Sequence, residues 1–169
     1  MTLQNAFTAK TVLITGHTGF KGAWLTAWLK QLGAKVIGIA LDPPTGPSHF
    51  VAANLTNGMT DLRIDIRNQV ALEKAIVSAQ PDFVFHLAAQ ALVRRSYEDP
   101  VETWQTNLLG TLHVLEALRK LDKPCAAVII TSDKCYDNAE WVWGYRETDP
   151  LGGKDPYSAS KGMAELAIR

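Results

Sequence analysis

An α/β fold, built as a doubly wound parallel sheet, is predicted from three observations. Short apolar runs rich in β-branched residues alternate with longer stretches whose apolar residues recur at helical spacing. The runs are apolar throughout rather than in alternation, as in strands buried on both faces. The first of them ends in a glycine-rich turn that opens a helix. Strand and helix in strict succession, wound by right-handed crossovers, give a parallel sheet with helices on both faces.

Met1 to Ala9 shows no period and reads as a loose lead-in. Thr11-Val12-Leu13-Ile14-Thr15 is the first strand and stops at Gly16. A helix is expected from Lys21 to Leu32, with Trp24, Leu25, Trp28, Leu29 and Leu32 on one face and Gly33 as its stop. Val36 to Leu41 is the second strand, and Asp42-Pro43-Pro44-Thr45-Gly46-Pro47 a turn-rich loop. A weaker third strand spans Leu62 to Ile64, and a helix follows from Asn68 to Ala79. Asp82 to His86 is the fourth strand. A long helix then carries Val101, Trp104, Leu108, Leu115 and Leu118 at helical spacing. Ala126 to Thr131 is the fifth strand, and a last helix begins near Pro156. The chain stops inside that helix, so residues 1–169 are expected to be an incomplete domain.

Seventeen basic and seventeen acidic residues cancel, which leaves no electrostatic footprint for nucleic acid or an anionic membrane. No apolar stretch is long enough for a bilayer, and no signal-peptide layout is present. Cys125 and Cys135 lack metal-like spacing, so no metal is expected, and reduced thiols fit a cytoplasmic protein. The pair in Trp141-Val142-Trp143 reads as packing or a loop anchor.

Gly16-His17-Thr18-Gly19-Phe20-Lys21-Gly22 lies between the first strand and the first long helix, where a dinucleotide-binding turn belongs. Gly16 lets the chain turn, Gly19 lets backbone approach a pyrophosphate, and Gly22 lets the helix pack close. Thr18, Phe20 and Lys21 belong to the same turn, and the helix start offers N–H groups to phosphate. A tight turn with no ligand matches the same pattern. The usual ribose-binding position falls on Ala40. Asp42, two residues on, suits either a ribose or the cap of the Pro-Pro turn. No arginine adjoins it in sequence to claim a 2′-phosphate, which favours NAD over NADP. Asp65-Ile66 follows the third strand, where an adenine edge lies in such folds; Asp65 equally suits a helix N-cap. His86 reads as a packing residue. Leu87, Ala88, Ala89 and Gln90 leave room for the cofactor at the end of the fourth strand.

Tyr157 precedes Lys161 by four residues, which puts both on one helical face, where the ammonium stabilises the phenolate. Ser132, at the carboxyl end of the fifth strand, is placed to bond a substrate hydroxyl beside Tyr157. Asp133 and Lys134 are surplus to a plain hydride transfer and point to further proton transfers; a solvated Asp-Lys turn is the plainer alternative.

These residues carry a resemblance. The chain is similar to the extended short-chain dehydrogenase/reductase superfamily, and within its NAD-dependent epimerase/dehydratase members to the CDP-glucose 4,6-dehydratase family. The glycine turn and Tyr157-Ser158-Ala159-Ser160-Lys161 mark the superfamily. The narrower blocks are Thr131-Ser132-Asp133-Lys134-Cys135-Tyr136 and Trp141-Val142-Trp143-Gly144-Tyr145-Arg146-Glu147. Related dTDP- and GDP-sugar dehydratases typically carry Asp-Glu where this chain has Asp133-Lys134. The resemblance implies a Rossmann-like fold, NAD as cofactor and CDP-glucose as substrate. Tyr157, with Ser132 and Lys161, takes the proton of the glucose 4-hydroxyl; Lys134 takes the C5 proton; Asp133 helps the 6-hydroxyl leave; and Arg94 serves the substrate. It also implies a homodimer at the family's full length. Members run much longer and have a further lobe for the nucleotide sugar, so these 169 residues alone are expected to turn over poorly. Other sugar-nucleotide epimerases or dehydratases, or a non-catalytic NAD-binding module, are the competing readings.

Overall fold

The computed structural model describes residues 3–169 and divides into two compact units. The first holds the chain through Ala88 together with His113–Ile130. Its five strands are β1 (Thr11–Thr15), β2 (Lys35–Ala40), β3 (Thr60–Arg63), β4 (Phe83–His86) and β5 (Ala126–Ile129). All pairings are parallel and the order is β3-β2-β1-β4-β5. Strand order therefore reverses beside β1, which makes its carboxyl end the switch point of the sheet. Successive side chains of β1 point to opposite faces. Leu13 joins Ile39, Leu72, Ile76, Val84 and Val114 in one core, and Val12 and Ile14 join Leu29 and Val36 in another. Cover on both faces thus holds at β1 but not at β5, where Ala126, Ala127 and Val128 are exposed. As an edge strand, β5 pairs only with β4.

Helix α1 (Leu3–Phe7) replaces the expected loose lead-in. Five residues are too few to show a period. What orders them is tertiary: the Phe7 ring lies 5.0 Å from Phe83 and 6.3 Å from Phe85. Helix α2 (Phe20–Gln31) lies within a residue of the expected span and stops at Gly33, whose φ is +78°. Its face differs. Gly22, Ala23, Thr26 and Leu29 are buried, whereas Trp24 and Trp28 are 57% and 51% exposed. The reason is steric: a Cβ on Gly22 would lie 2.1 Å from the Gly16 carbonyl oxygen, so α2 lies against the sheet along its small residues. Indoles do not fit so narrow a gap.

Next come the short α3 (His49–Ala52) and α4 (Gln69–Ala79). Asn68 caps α4 by accepting the Ala71 N–H at 3.2 Å, so the cap alternative for Asp65 falls on Asn68 instead.

The second unit holds Ala89–Leu112 and Thr131–Arg169. The expected single long helix is divided into α5 (Val93–Glu98), α6 (Pro100–Trp104), a π-helical turn Gln105–Leu109 and α7 (Gly110–Leu118), which runs on past Leu112 into the first unit. Pro100 separates α5 from α6, and Asp99 caps α6 through the Glu102 N–H. The π turn shifts the helical phase, so Asn107 is buried and Val101 is 64% exposed. A 3-10 turn, Asp133–Cys135, precedes a long loop closed by the Tyr136–Leu151 bridge. In that loop Tyr136 stacks on Tyr145 at 5.0 Å, and Trp141 packs on Tyr145 at 5.6 Å. Trp141 is thus a loop anchor, whereas Trp143 is 71% exposed. Helix α8 (Pro156–Ile168) begins at Pro156 as expected, capped by Asp155. Among the described residues no helix is long and apolar enough to cross a membrane.

Gly22→Ala drives a methyl into backbone, whereas a Cβ on Gly46 meets nothing within 4 Å. Urea unfolding is expected to show a loss of about 2 kcal/mol or more for Gly22→Ala and near-neutral behaviour for Gly46→Ala.

Candidate active site

In the first unit the glycine turn follows β1 at the switch point. Gly16 has φ +77°, and a Cβ there would lie 2.7 Å from the Ala88 nitrogen, so the position excludes a side chain twice over. Gly19 differs: its backbone is extended (φ −75°), and an added Cβ would meet only the Gly16 oxygen, at 3.4 Å. Among the described residues nothing closer requires glycine there, so the bare Cα leaves room for a ligand. Gly19 is also the N-cap of α2 and supplies no side-chain acceptor to the first N–H groups of the helix. Open space before an uncapped helix start fits a pyrophosphate. Phe20 and Lys21, the next two residues, are exposed. Thr18 Oγ1 donates to the Leu41 carbonyl at 3.0 Å and ties the turn to the end of β2.

His17 is fully buried below the turn, edge-on to Phe50, with Nε2 2.9 Å from Asp61 Oδ1. A Cβ on Gly38 would lie 2.5 Å from its ring, so β2 carries glycine where the imidazole rests. Burial pushes this imidazole below its ordinary 6.5, against the pull of Asp61.

At the end of β2, Asp42 is 92% exposed and stands 3.8 Å from Arg63 Nε. The absence of a neighbouring arginine in sequence does not carry over to space. The β2–β3 register sets Arg63 opposite Ala40, and its Nη1 donates to the Leu41 carbonyl at 2.8 Å. Asp65 accepts the Arg67 backbone N–H and guanidinium, and this pairing holds its carboxyl below the ordinary carboxylate range. Ile66 is buried, and its carbonyl accepts from His113 Nδ1 at 2.9 Å. Leu87 and Ala88 follow β4, with the Ala88 N–H on Thr15 Oγ1. His86 packs as expected, buried with Nδ1 2.6 Å from Thr15 Oγ1.

In the second unit, Ala89 precedes a buried polar network missed at the level of sequence. Gln90 exchanges backbone bonds with the Asn107 amide at 2.9 and 3.0 Å, while its own side chain bonds Thr103 Oγ1 and both polar groups of Leu92. Asn107 also donates to Ser160 Oγ at 3.0 Å, and Ser160 Oγ donates to the Tyr157 carbonyl at 2.7 Å. The π turn is thereby fastened to the helical turn that joins Tyr157 and Lys161. A lone asparagine in an apolar helical stretch was the available signal.

Tyr157 and Lys161 share one face of α8 and are both buried, 9% and 5% exposed. Asp155 seats the start of that helix by accepting the Ser158 N–H at 2.9 Å. Glycine brings the neighbouring loop flush against it. A Cβ on Gly153 would lie 2.3 Å from the Ala159 nitrogen, and one on Gly162 3.1 Å from the Cys135 oxygen. Cys135 O also accepts the Gly152 N–H. Thr131 Oγ1 donates to Glu165, fixing the segment before the 3-10 turn to α8. Ser132 heads that turn: its Oγ accepts the Lys134 N–H at 3.2 Å and donates to Asp133 Oδ1 at 3.0 Å. Asp133 and Lys134 are exposed. Arg94 stands on the outer side of α5, 96% exposed and 3.8 Å from Glu98. Burial pushes the Cys135 thiol above its ordinary value.

Because the folded His17 binds its proton less readily than the unfolded one, stability falls as pH drops through 6.5 and below. Urea midpoints from pH 7.5 to 5.5 are expected to decline in the wild type, by at most about 1.4 kcal/mol per pH unit from this group. His17→Gln is expected to flatten that decline.

The family described as GDP-mannose 4,6 dehydratase matches residues 13–169. The chain is 55% identical over 163 residues to the CDP-glucose 4,6-dehydratase of Salmonella typhimurium (strain LT2), a match covering 96% of this chain and 45% of that protein. It is 29% identical over 170 residues to a dTDP-glucose 4,6-dehydratase of Xanthomonas campestris pv. campestris, covering 94% of this chain and 48% of that one. Among solved structures, the UDP-glucose 4-epimerase of Thermus thermophilus in complex with NAD superposes with a TM-score of 0.80 at 32% identity, covering 94% of this chain and 49% of that chain. The chain spans about half the length of the curated relatives it matches.

Proposed function

The chain belongs to the GDP-mannose 4,6 dehydratase family, and we propose that it carries the cofactor-holding and proton-transferring residues of an NAD-dependent CDP-glucose 4,6-dehydratase. The observation that carries this reading is α8, where Tyr157 and Lys161 lie buried on one face beside the turn headed by Ser132. The 55% identity to the Salmonella typhimurium enzyme supports the choice of CDP-glucose.

On this reading residues 1–169 are a Rossmann-like NAD-binding domain of a cytoplasmic protein. Gly16, Thr18, Gly19, Phe20, Lys21 and Gly22 hold the pyrophosphate, Asp65 and Ile66 the adenine edge. Leu87 and Ala88 in the first unit, and Ala89, Gln90, Tyr157 and Lys161 in the second, are the further residues we assign to the dinucleotide. NAD, when bound, supplies the acceptor and later the donor of hydride. Tyr157, with Lys161 on the same helical face, takes the proton of the glucose 4-hydroxyl, with Ser132 bonding that oxygen. A ketone at C4 acidifies the C5–H bond. Lys134 accepts that proton, and Asp133 gives one to the departing 6-hydroxyl so that it leaves as water. Both stand on the exposed 3-10 turn, where substrate can reach them. Arg94, projecting from α5, is the cation we assign to the substrate side. A homodimer of the longer protein belongs to the same reading, supported by the exposed Met163 and Leu166 on α8.

The test uses the protein encoded by the complete gene that contains this sequence, incubated with NAD⁺ and CDP-, dTDP-, GDP- or UDP-glucose. Mass spectrometry is expected to show loss of one water from the CDP sugar alone, and Tyr157→Phe is expected to lower the rate by about 100-fold or more. Water loss from a different nucleotide sugar would reject CDP-glucose, and no loss from any would reject dehydration.

A further inference from the structure

Tyr157, Lys161 and Glu165 follow one another along a single stripe of α8, each one helical turn from the next. The first two are buried and have the roles proposed above, whereas Glu165 is half-buried and has none in that reading. Glu165 accepts a hydrogen bond from Thr131 Oγ1, and Thr131 directly precedes Ser132, the cap of the 3-10 turn. Among the described residues, the polar side-chain atoms of Ser132 and Asp133 bond only within the turn. The side-chain hydrogen bond that fastens this segment to α8 is therefore that of Thr131 to Glu165. The far end of the turn is held by backbone. Cys135 O accepts the Gly152 N–H at 2.9 Å, and a Cβ on Gly162 would lie 3.1 Å from that oxygen. Glu165 stands close to this end too, since its charge adds to burial in raising the Cys135 thiol.

We propose that Glu165 is a positioning residue for water elimination, which through Thr131 sets where the Ser132–Asp133–Lys134 turn stands on α8. This inference rests on the dehydratase reading given above. Tyr157 needs no such tie, because α8 itself carries it. Asp133 and Lys134 project from the exposed side of the turn, so their place depends on how the turn is fastened. A shift on the order of 1 Å in a group that must meet a reacting atom can lower a rate by about 100-fold. Transfer of the C5 proton to Lys134, and departure of the 6-hydroxyl helped by Asp133, are thus the steps that Glu165 supports. The hydrogen bond rather than the charge is the device. A glutamine oxygen accepts from Thr131 as a carboxylate does, whereas an alanine leaves the threonine hydroxyl without its partner.

The protein encoded by the complete gene is assayed for water loss from CDP-glucose, with melting temperatures to confirm that each variant folds. Glu165→Ala and Thr131→Val are each expected to lower kcat roughly tenfold or more, with KM for CDP-glucose within about twofold of the wild type. The double variant is expected to be no slower than the slower single, because both changes remove the same bond. Glu165→Gln and Thr131→Ser keep acceptor and donor and are expected to restore most of the rate. With CDP-glucose deuterated at C5, Glu165→Ala is expected to show a larger isotope effect on kcat than the wild type, a change that a general loss of folded protein does not produce. Hydrogen-exchange mass spectrometry is expected to show faster exchange over residues 131–136 in Glu165→Ala than in Glu165→Gln. An active wild type whose Glu165→Ala variant keeps its kcat and its isotope effect would overturn the inference and leave the dehydratase reading standing. So would a double variant whose losses multiply, or a glutamine variant as slow and as exchangeable as the alanine one. A wild type that removes water from no sugar nucleotide would overturn both.

Discussion

The contact between Gly22 and the Gly16 carbonyl sets the geometry of the whole first unit. A Cβ on Gly22 would lie 2.1 Å from the Gly16 carbonyl oxygen, so α2 takes its place against the turn only with glycine at position 22. That close approach selects Ala23, Thr26 and Leu29 as the buried face and turns Trp24 and Trp28 outward. It also fixes where the helix starts. The uncapped N–H groups of α2, the bare Cα of Gly19 and the Thr18 bond to Leu41 lie beside that close approach. Anion binding at a helix start needs backbone N–H groups, and glycine is what lets backbone be reached.

The second unit solves a different problem, that of holding a short helical segment rigid with polar groups. Asn107, Gln90, Thr103 and Ser160 form a buried set in which each amide finds partners, and it ends at the backbone of Tyr157. Such a network holds one arrangement firmly because leaving any member unpaired costs more than the bond itself contributes. The π turn that presents Asn107 is the local distortion the arrangement demands.

Legibility in the sequence followed the range of the interactions. The strands, the Gly33 stop and the Pro156 start depend on runs and caps within a few residues, and these were readable. So was the pairing of Tyr157 with Lys161, which rests on helical spacing alone. The buried face of α2 was misread because apolar periodicity ranks side chains by hydrophobicity, whereas close packing ranks them by size. Arg63 was missed because strand register, not sequence distance, brings it beside Asp42. The ordering of α1 by Phe7 against Phe83 and Phe85 depends on contacts far along the chain, beyond the reach of any local window. The cap expected at Asp65 falls on Asn68, because Asn68 is the residue that directly precedes the first helical residue, Gln69.

The proposed internal redox dehydration draws on a glycine-rich turn, a Tyr–Lys pair with a serine, and the adjacent Asp133 and Lys134. What separates that chemistry from epimerisation or simple oxidation is the fate of the hydrogen at C4. CDP-glucose carrying deuterium at C4, converted by the protein encoded by the complete gene and analysed by NMR, reads that fate directly. Deuterium recovered in the C6 methyl group of the 4-keto product is the predicted result. Deuterium retained at C4, or lost from the sugar without formation of a C6 methyl group, would contradict it.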